Sequence, residues 1–181
     1  MEVKYKAIYA DCPWQYGNIN TGGSLSSGSA SKYSTMPLEE ICSMNVPGIV
    51  DKSGCVLFLW ATTPLLPDAF RVMERWGFSY KTSVYWDKLS YGMGYWFRGQ
   101  VEQCLVGVCG NVKAFRRQTP NIIRAKPRAH SQKPEEIWNL IDPALNDHGI
   151  FPRLEMFCRG EPRPGWDGWG FECQNGVTLK L

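Results

Sequence analysis

The sequence predicts an α/β fold, a largely parallel sheet covered by helices on both faces. Three observations point there. Five apolar runs read as strands, at residues 4–10, 55–61, 78–86, 103–109 and 152–158. Between them lie stretches with helical spacing of apolar residues, bounded by proline and acids at their starts or by glycine at their ends. Strands as uniformly apolar as "CVLFLWA" (55–61) need cover on both sides, which interleaved helices provide. Finally, 181 residues suffice for one hydrophobic core, and neither an internal repeat nor a linker divides them, so one domain over 1–181 is expected.

In chain order, the first strand runs straight into "DCPW" (11–14). A helix over 37–44 opens on Pro37 with Glu39 and Glu40 in its first turn, where a rigid φ and negative charge both suit the helix start. After the strand at 55–61, residues 64–76 place Leu65, Ala69, Val72, Met73 and Trp76 at helical spacing, and Gly77 stops them. Strands at 78–86 and 103–109 follow. A helix over 134–145 starts on Pro134-Glu135-Glu136 and carries Ile137, Leu140 and Ile141 on one face, ahead of the strand at 152–158. Two stretches do not fit this scaffold. Residues 17–35 are rich in glycine and serine, and 87–102 mix glycines, aromatics and an arginine. Both are long for connections, and in an open α/β sheet they belong with a site at the carboxyl ends of the strands.

Composition narrows the function classes. No window approaches a membrane span and the start has no apolar signal region, so an intracellular, cytoplasmic protein of prokaryotic or phage type is expected, without membrane partners. Of the seven cysteines, Cys12, Cys55, Cys104 and Cys158 sit in or beside apolar runs, which suits reduced, packed thiols. Cys104 and Cys109 lack zinc-type spacing, and His130 and His148 lie far apart, so no metal site is expected. Net charge is +3, but seven Lys/Arg and no acid occur between Lys113 and Lys133. A solvated basic loop is one reading. The length of the run and its interleaved Thr, Asn and Gln favour phosphate contact, and segments 87–102 and 111–133 are read as nucleic-acid-binding.

At the end of the first strand, Pro13 fixes its own φ and pushes Cys12 into an extended conformation. The Cys12 carbonyl is then held in a defined direction near the Asp11 carboxylate. Two adjacent acceptors match an exocyclic amine with its two N–H donors. Trp14 offers a face for stacking a heterocycle, worth about 1–3 kcal/mol per base. The competing reading makes Asp11 a cap and Trp14 a core residue; the tetrapeptide alone leaves both open.

With "DCPW" come "KYSTM" (32–36), "FLWAT" (58–62), "RGQVEQCLVGVCG" (98–110), "HSQKPEE" (130–136), "LEMFCR" (154–159) and "RPGWDGWGFE" (163–172). In this order, over nearly the whole chain, they resemble the adenine-N6 methyltransferases that include the catalytic subunit of the messenger-RNA adenosine methyltransferase, whose motif is Asp-Pro-Pro-Trp. The resemblance implies a Rossmann-like, circularly permuted domain that uses S-adenosyl-L-methionine (AdoMet). It implies that Asp11 and the Cys12 carbonyl, set by Pro13 and flanked by Trp14, hold the adenine amine. Asp11 also belongs to the cofactor set, with Lys133 toward the methionyl carboxylate, Arg159 and Gly160 near the ribose, and Trp169, Gly170, Phe171 and Glu172 at the adenosine end. Tyr33, Trp96 and Arg98 would close over the base, and Arg116, Arg117, Arg124 and Lys126 would grip the strand.

The chain departs from the family at Cys12, which keeps the carbonyl but not the second proline, and at Phe171, which replaces an Asn amide with a ring able to pack on adenine. Glu155, within an apolar strand, is as readable as a structural partner as a ligand. The expected reaction is methyl transfer to adenine N6 in DNA, with a homodimer allowed. The alternatives are the same chemistry on RNA, or a silent nucleic-acid-binding subunit. Asp11 and Trp14 argue against the latter.

Overall fold

The computed structural model describes residues 3–15, 35–92, 96–128 and 132–181. Its main sheet has seven strands: β1 (Ala7–Ala10), β2 (Gly54–Thr62), β3 (Ser79–Asp87), β4 (Val101–Gly110), β5 (Ile122–Arg124), β6 (Arg153–Met156) and β8 (Asp167–Trp169), in the spatial order β5-β3-β4-β2-β1-β6-β8. The pairs β1–β2, β1–β6, β6–β8 and β3–β5 are parallel. Only β4 runs against its neighbours, β2 and β3. A two-stranded ribbon, β7 (Arg159–Gly160) with β9 (Glu172–Cys173), follows β6 and β8.

The helices are α1 (Leu38–Ser43), α2 (Val46–Ile49), α3 (Leu66–Arg75) and α4 (Glu136–Asp147). Alternation along the strands sends side chains to two cores, as the pleat requires. Ile8, Ala10, Leu57, Leu59 and Leu154 face one core, which α1 to α3 close with Ile41, Val46, Val72 and Trp76. Ala7, Tyr9, Phe58, Trp60 and Val106 face the other, which α4 closes with Ile137, Trp138 and Leu145. The expected α/β sheet with helices on both faces is therefore present. Trp60 and Trp76 are fully buried, yet each indole N–H is satisfied: Trp60 donates to the Tyr9 hydroxyl at 2.7 Å and Trp76 to the Ile41 carbonyl at 2.9 Å.

Boundaries differ from the sequence reading at definable places. β1 starts at Ala7, because Tyr5 makes only an isolated bridge to Val50. β6 stops at Met156, where Phe157 takes φ +61° and leaves the extended region. Gly77 does end the third helix, with φ +82° and its N–H on the Glu74 carbonyl at 2.9 Å. β5 falls inside the basic run, where the sequence suggests only a loop: three residues are too few for a periodic signal. Among the described residues no helix is long and apolar enough to cross a membrane.

Candidate active site

β1 lies inside the sheet between β2 and β6, and Asp11 leaves its carboxyl end at the mouth of a cleft of about 460 Å³. The backbone after it is tightly fixed. The Trp14 N–H donates to the Cys12 carbonyl at 2.9 Å, closing a three-residue turn around Pro13, and the Met36 N–H donates to the Pro13 carbonyl at 2.8 Å. The Cys12 carbonyl thus has a set direction, as the X-Pro sterics demand, and an oxygen accepts a second bond beside the one it holds. The Cys12 thiol is buried, and burial, followed by the Asp11 charge, raises its pKa well above the ordinary thiol value. Nothing reactive remains in that side chain. Trp14 corrects an expectation: only 9% exposed, it sits in the core and donates its indole N–H to the Trp60 carbonyl at 3.1 Å, so it presents no open stacking face.

Lys133 joins the cleft through ion pairs. Its Nζ lies 2.8 Å from Asp11 Oδ1, 3.0 Å from Asp11 Oδ2 and 3.7 Å from Glu102 Oε2, and sits over the Trp60 ring at 5.7 Å. Its side chain is 14% exposed, so this is not a solvated charge at a helix start. Glu102 in turn takes Lys88 at 2.6 Å. Topology explains the meeting: because β4 is antiparallel, its first residues lie opposite Thr62 and Trp86, at the edge of the sheet where β2 and β3 end. Asp11, Lys133, Glu102 and Lys88 therefore form one chain of alternating charge. Glu102 was invisible as a site residue in the sequence, although it lies inside the quoted "RGQVEQCLVGVCG".

The opposite wall carries Glu155 on β6, beside Tyr9 in register. Burial pushes the Glu155 carboxyl up to about 7; Arg163 opposes this, while Glu135 and Asp11 add to it. Trp138 packs on Tyr9 at 4.4 Å, and Arg163 lies over Trp138 at 4.5 Å with Glu135 at 3.3 Å. At the rim, Arg159 and Glu172 pair across the β7–β9 ribbon at 3.5 Å. Of the residues the sequence assigned to a cofactor, Asp11, Lys133, Arg159 and Glu172 line the cleft. Gly160 is held in the ribbon opposite Cys173. Gly170 packs against the Cys158 backbone so closely that a Cβ would come within 2.7 Å of its oxygen, Trp169 packs on Phe157, and Phe171 points outward, 92% exposed.

The residues expected to meet nucleic acid divide into groups. Trp96 is 93% exposed and Arg98 is exposed, both on the connection from β3 to β4; Tyr33 lies outside the described residues. Arg116, Arg117, Arg124 and Lys126 are all exposed. The run has no acid of its own, but the fold supplies some: Arg117 takes Asp147 with two bonds of 2.5 and 3.1 Å, Arg124 lies 3.8 Å from Asp87, and Arg128 lies 3.6 Å from Glu136. Part of the positive charge is thus already neutralised. Among the described residues no three His, Cys, Asp or Glu side chains gather as metal ligands.

Comparison with known proteins gives consistent matches. The Mycoplasma type II methyltransferase M.MunI is 32% identical over 93% of this chain and 78% of its own length. An Arabidopsis thaliana protein named N(6)-adenosine-methyltransferase MT-A70-like is 30% identical over 81% of this chain, and the human N(6)-adenosine-methyltransferase catalytic subunit METTL3 is 28% identical over 77%. The chain spans 22% and 23% of those two longer proteins. The family model described as MT-A70 matches residues 5–172. The chain belongs to the MT-A70 family, the adenine-N6 methyltransferases that its motifs resemble.

Proposed function

We propose that this chain is one methyltransferase domain that transfers a methyl group from AdoMet to the exocyclic N6 amine of adenine in DNA. The observation that carries this reading is the Asp11–Lys133 pair at 2.8 Å, set in the cleft beside the directed Cys12 carbonyl. The donor set suits AdoMet: Lys133 and Arg159 offer cations to a carboxylate and hydroxyls, while Asp11, Glu135 and Glu155 offer acids to an ammonium and a sulfonium. When bound, AdoMet supplies an electrophilic methyl group on sulfur.

Adenine's amine is a poor nucleophile, because its lone pair is delocalised into the ring. Asp11 accepts one of its N–H bonds and the Cys12 carbonyl the other, which favours a pyramidal nitrogen with its lone pair directed at the methyl. Positioning and electrostatics then dominate the step. Asp11 need not be a strong base, since the amine proton can leave after transfer. The Lys133 ammonium has three donors, enough to hold Asp11 and the methionyl carboxylate together. Gly160, Trp169, Gly170 and Glu172 frame the adenosine end, and Phe171 supplies a ring for its adenine. A base in duplex DNA has to be flipped out to reach Asp11. Tyr33, Trp96 and Arg98 close over it, and Arg116, Arg117, Arg124 and Lys126 contact phosphates.

DNA is favoured by the match to the type II methyltransferase, which covers most of that protein's own length at 32% identity. RNA is the second reading, supported by the N(6)-adenosine-methyltransferase names of the longer relatives. Labelled methyl transfer to DNA and RNA oligonucleotides of the same adenine-containing sequence, in competition, tests the choice. Preferential labelling of DNA is expected; labelling of RNA alone would overturn it.

A further inference from the structure

Two cysteines from different parts of the chain share one small space beside the cleft. Cys158 follows β6, and Cys173 ends β9. A Cβ placed on Gly168 would lie 2.7 Å from the Cys173 sulfur and 3.1 Å from the Cys158 sulfur, so the two sulfurs are no farther apart than the sum of those distances. A Cβ on Gly176 would come within 2.9 Å of the Cys173 sulfur. The two glycines leave the room that both sulfurs occupy, and the two thiols are hydrogen-bond partners. The adjoining backbone is already paired: Arg159 with Glu172 and Gly160 with Cys173 in the ribbon, and the Gln174 N–H donates to the Gly160 carbonyl at 2.7 Å.

We propose that Cys158 and Cys173 are a reversible dithiol–disulfide modification site that staples the β7–β9 ribbon at the rim of the cleft. The oxidant is a small-molecule disulfide. Cys173 is half-buried and Cys158 is 2% exposed, so Cys173 reacts first. Its thiolate attacks one sulfur of the small disulfide and expels a thiolate. The Cys158 thiolate then attacks the Cys173 sulfur, the bond between them forms, and the second small thiolate leaves. The protein loses two protons and two electrons, and the small disulfide is reduced to two thiols. Burial first, then the bond with Cys173, pushes the Cys158 thiol up to about 12. The mixed disulfide at Cys173 removes that second restraint and favours the closing attack.

The staple would tie Arg159 and Glu172, which form the rim, into one covalent loop. The test treats the full chain with oxidised glutathione, blocks remaining thiols in acid, and maps peptides without reduction. The expected product links the Cys158 peptide to the Cys173 peptide, is reversed by dithiothreitol, and is missing in Cys173→Ser. In the linked protein, backbone amides of 158–160 and 170–174 should exchange about tenfold more slowly, as local opening is suppressed. Glutathione resting on Cys173 with Cys158 free, a link to any other cysteine, or a link without slowed exchange would each overturn the proposal. None of these readouts depends on methyl transfer.

Discussion

Glu155 is the residue whose protonation bears most directly on stability. Its folded pKa of about 7 lies above the ordinary 4.5, so between those values the folded protein binds more protons than the unfolded chain. Stability is therefore full below pH 4.5 and falls as pH rises through 7, by roughly 3 kcal/mol. Denaturant titrations at pH 4 and pH 8 should show the wild type losing that much more than Glu155→Gln. Equal losses would mean that the carboxyl is not buried as described. The same cleft separates Lys133 from Arg159. Lys133→Ala should weaken AdoMet binding about ten- to a hundredfold, the range for a charge-assisted bond. Arg159→Ala should matter less, because Arg159 is more exposed and would face neutral hydroxyls. Glu102→Gln should act in the direction of Lys133→Ala but more weakly, since it loosens the ammonium without removing it. Calorimetric titration orders the three; wild-type affinity in all of them would remove the cofactor from this cleft. Cys12→Pro should keep or raise turnover, because the buried thiol contributes nothing that the carbonyl does not.

At the scale of elements, the segment from 111 to 133 is more than a charge run. It forms the edge strand β5, and its arginines reach acids on β3 and α4. Those acids compete with phosphates for Arg117 and Arg124. Neutralising Arg116 and Lys126 should therefore flatten the salt dependence of DNA binding by about one log–log unit for each phosphate left without its cation, more than neutralising Arg117 and Arg124 does. AdoMet affinity should not change. An unmoved salt slope would leave the run a solvated surface. The long strands were legible because seven or more apolar residues in a row leave little choice. β5, β7 and β9 were not, since two or three residues fit any pattern and only their neighbours make them strands. The charge chain was half legible: motif order placed Asp11 and Lys133, but Glu102 meets them only because β4 runs backwards, and no local spacing encodes a strand direction.

Across the whole molecule, parallel β1, β2 and β6 bring Asp11 and Glu155 to one edge, antiparallel β4 adds Glu102, and the ribbon after β6 carries Arg159 to the same mouth. Residues 11, 102, 133, 155 and 159 converge there because strand order, not sequence distance, sets neighbours. Trp14 departs from its expected role for a related reason. The tetrapeptide shows an aromatic beside a carboxylate, whereas burial depends on Trp60 and Met36, which belong to other segments. The most direct measurement digests adenine-containing DNA to nucleosides after reaction with AdoMet and quantifies N6-methyladenine by mass spectrometry, for wild type and for folded Asp11→Ala. N6-methyladenine should form with the wild type and vanish with the variant; methylation at another position, or a variant within tenfold of wild type, would contradict the role given to Asp11.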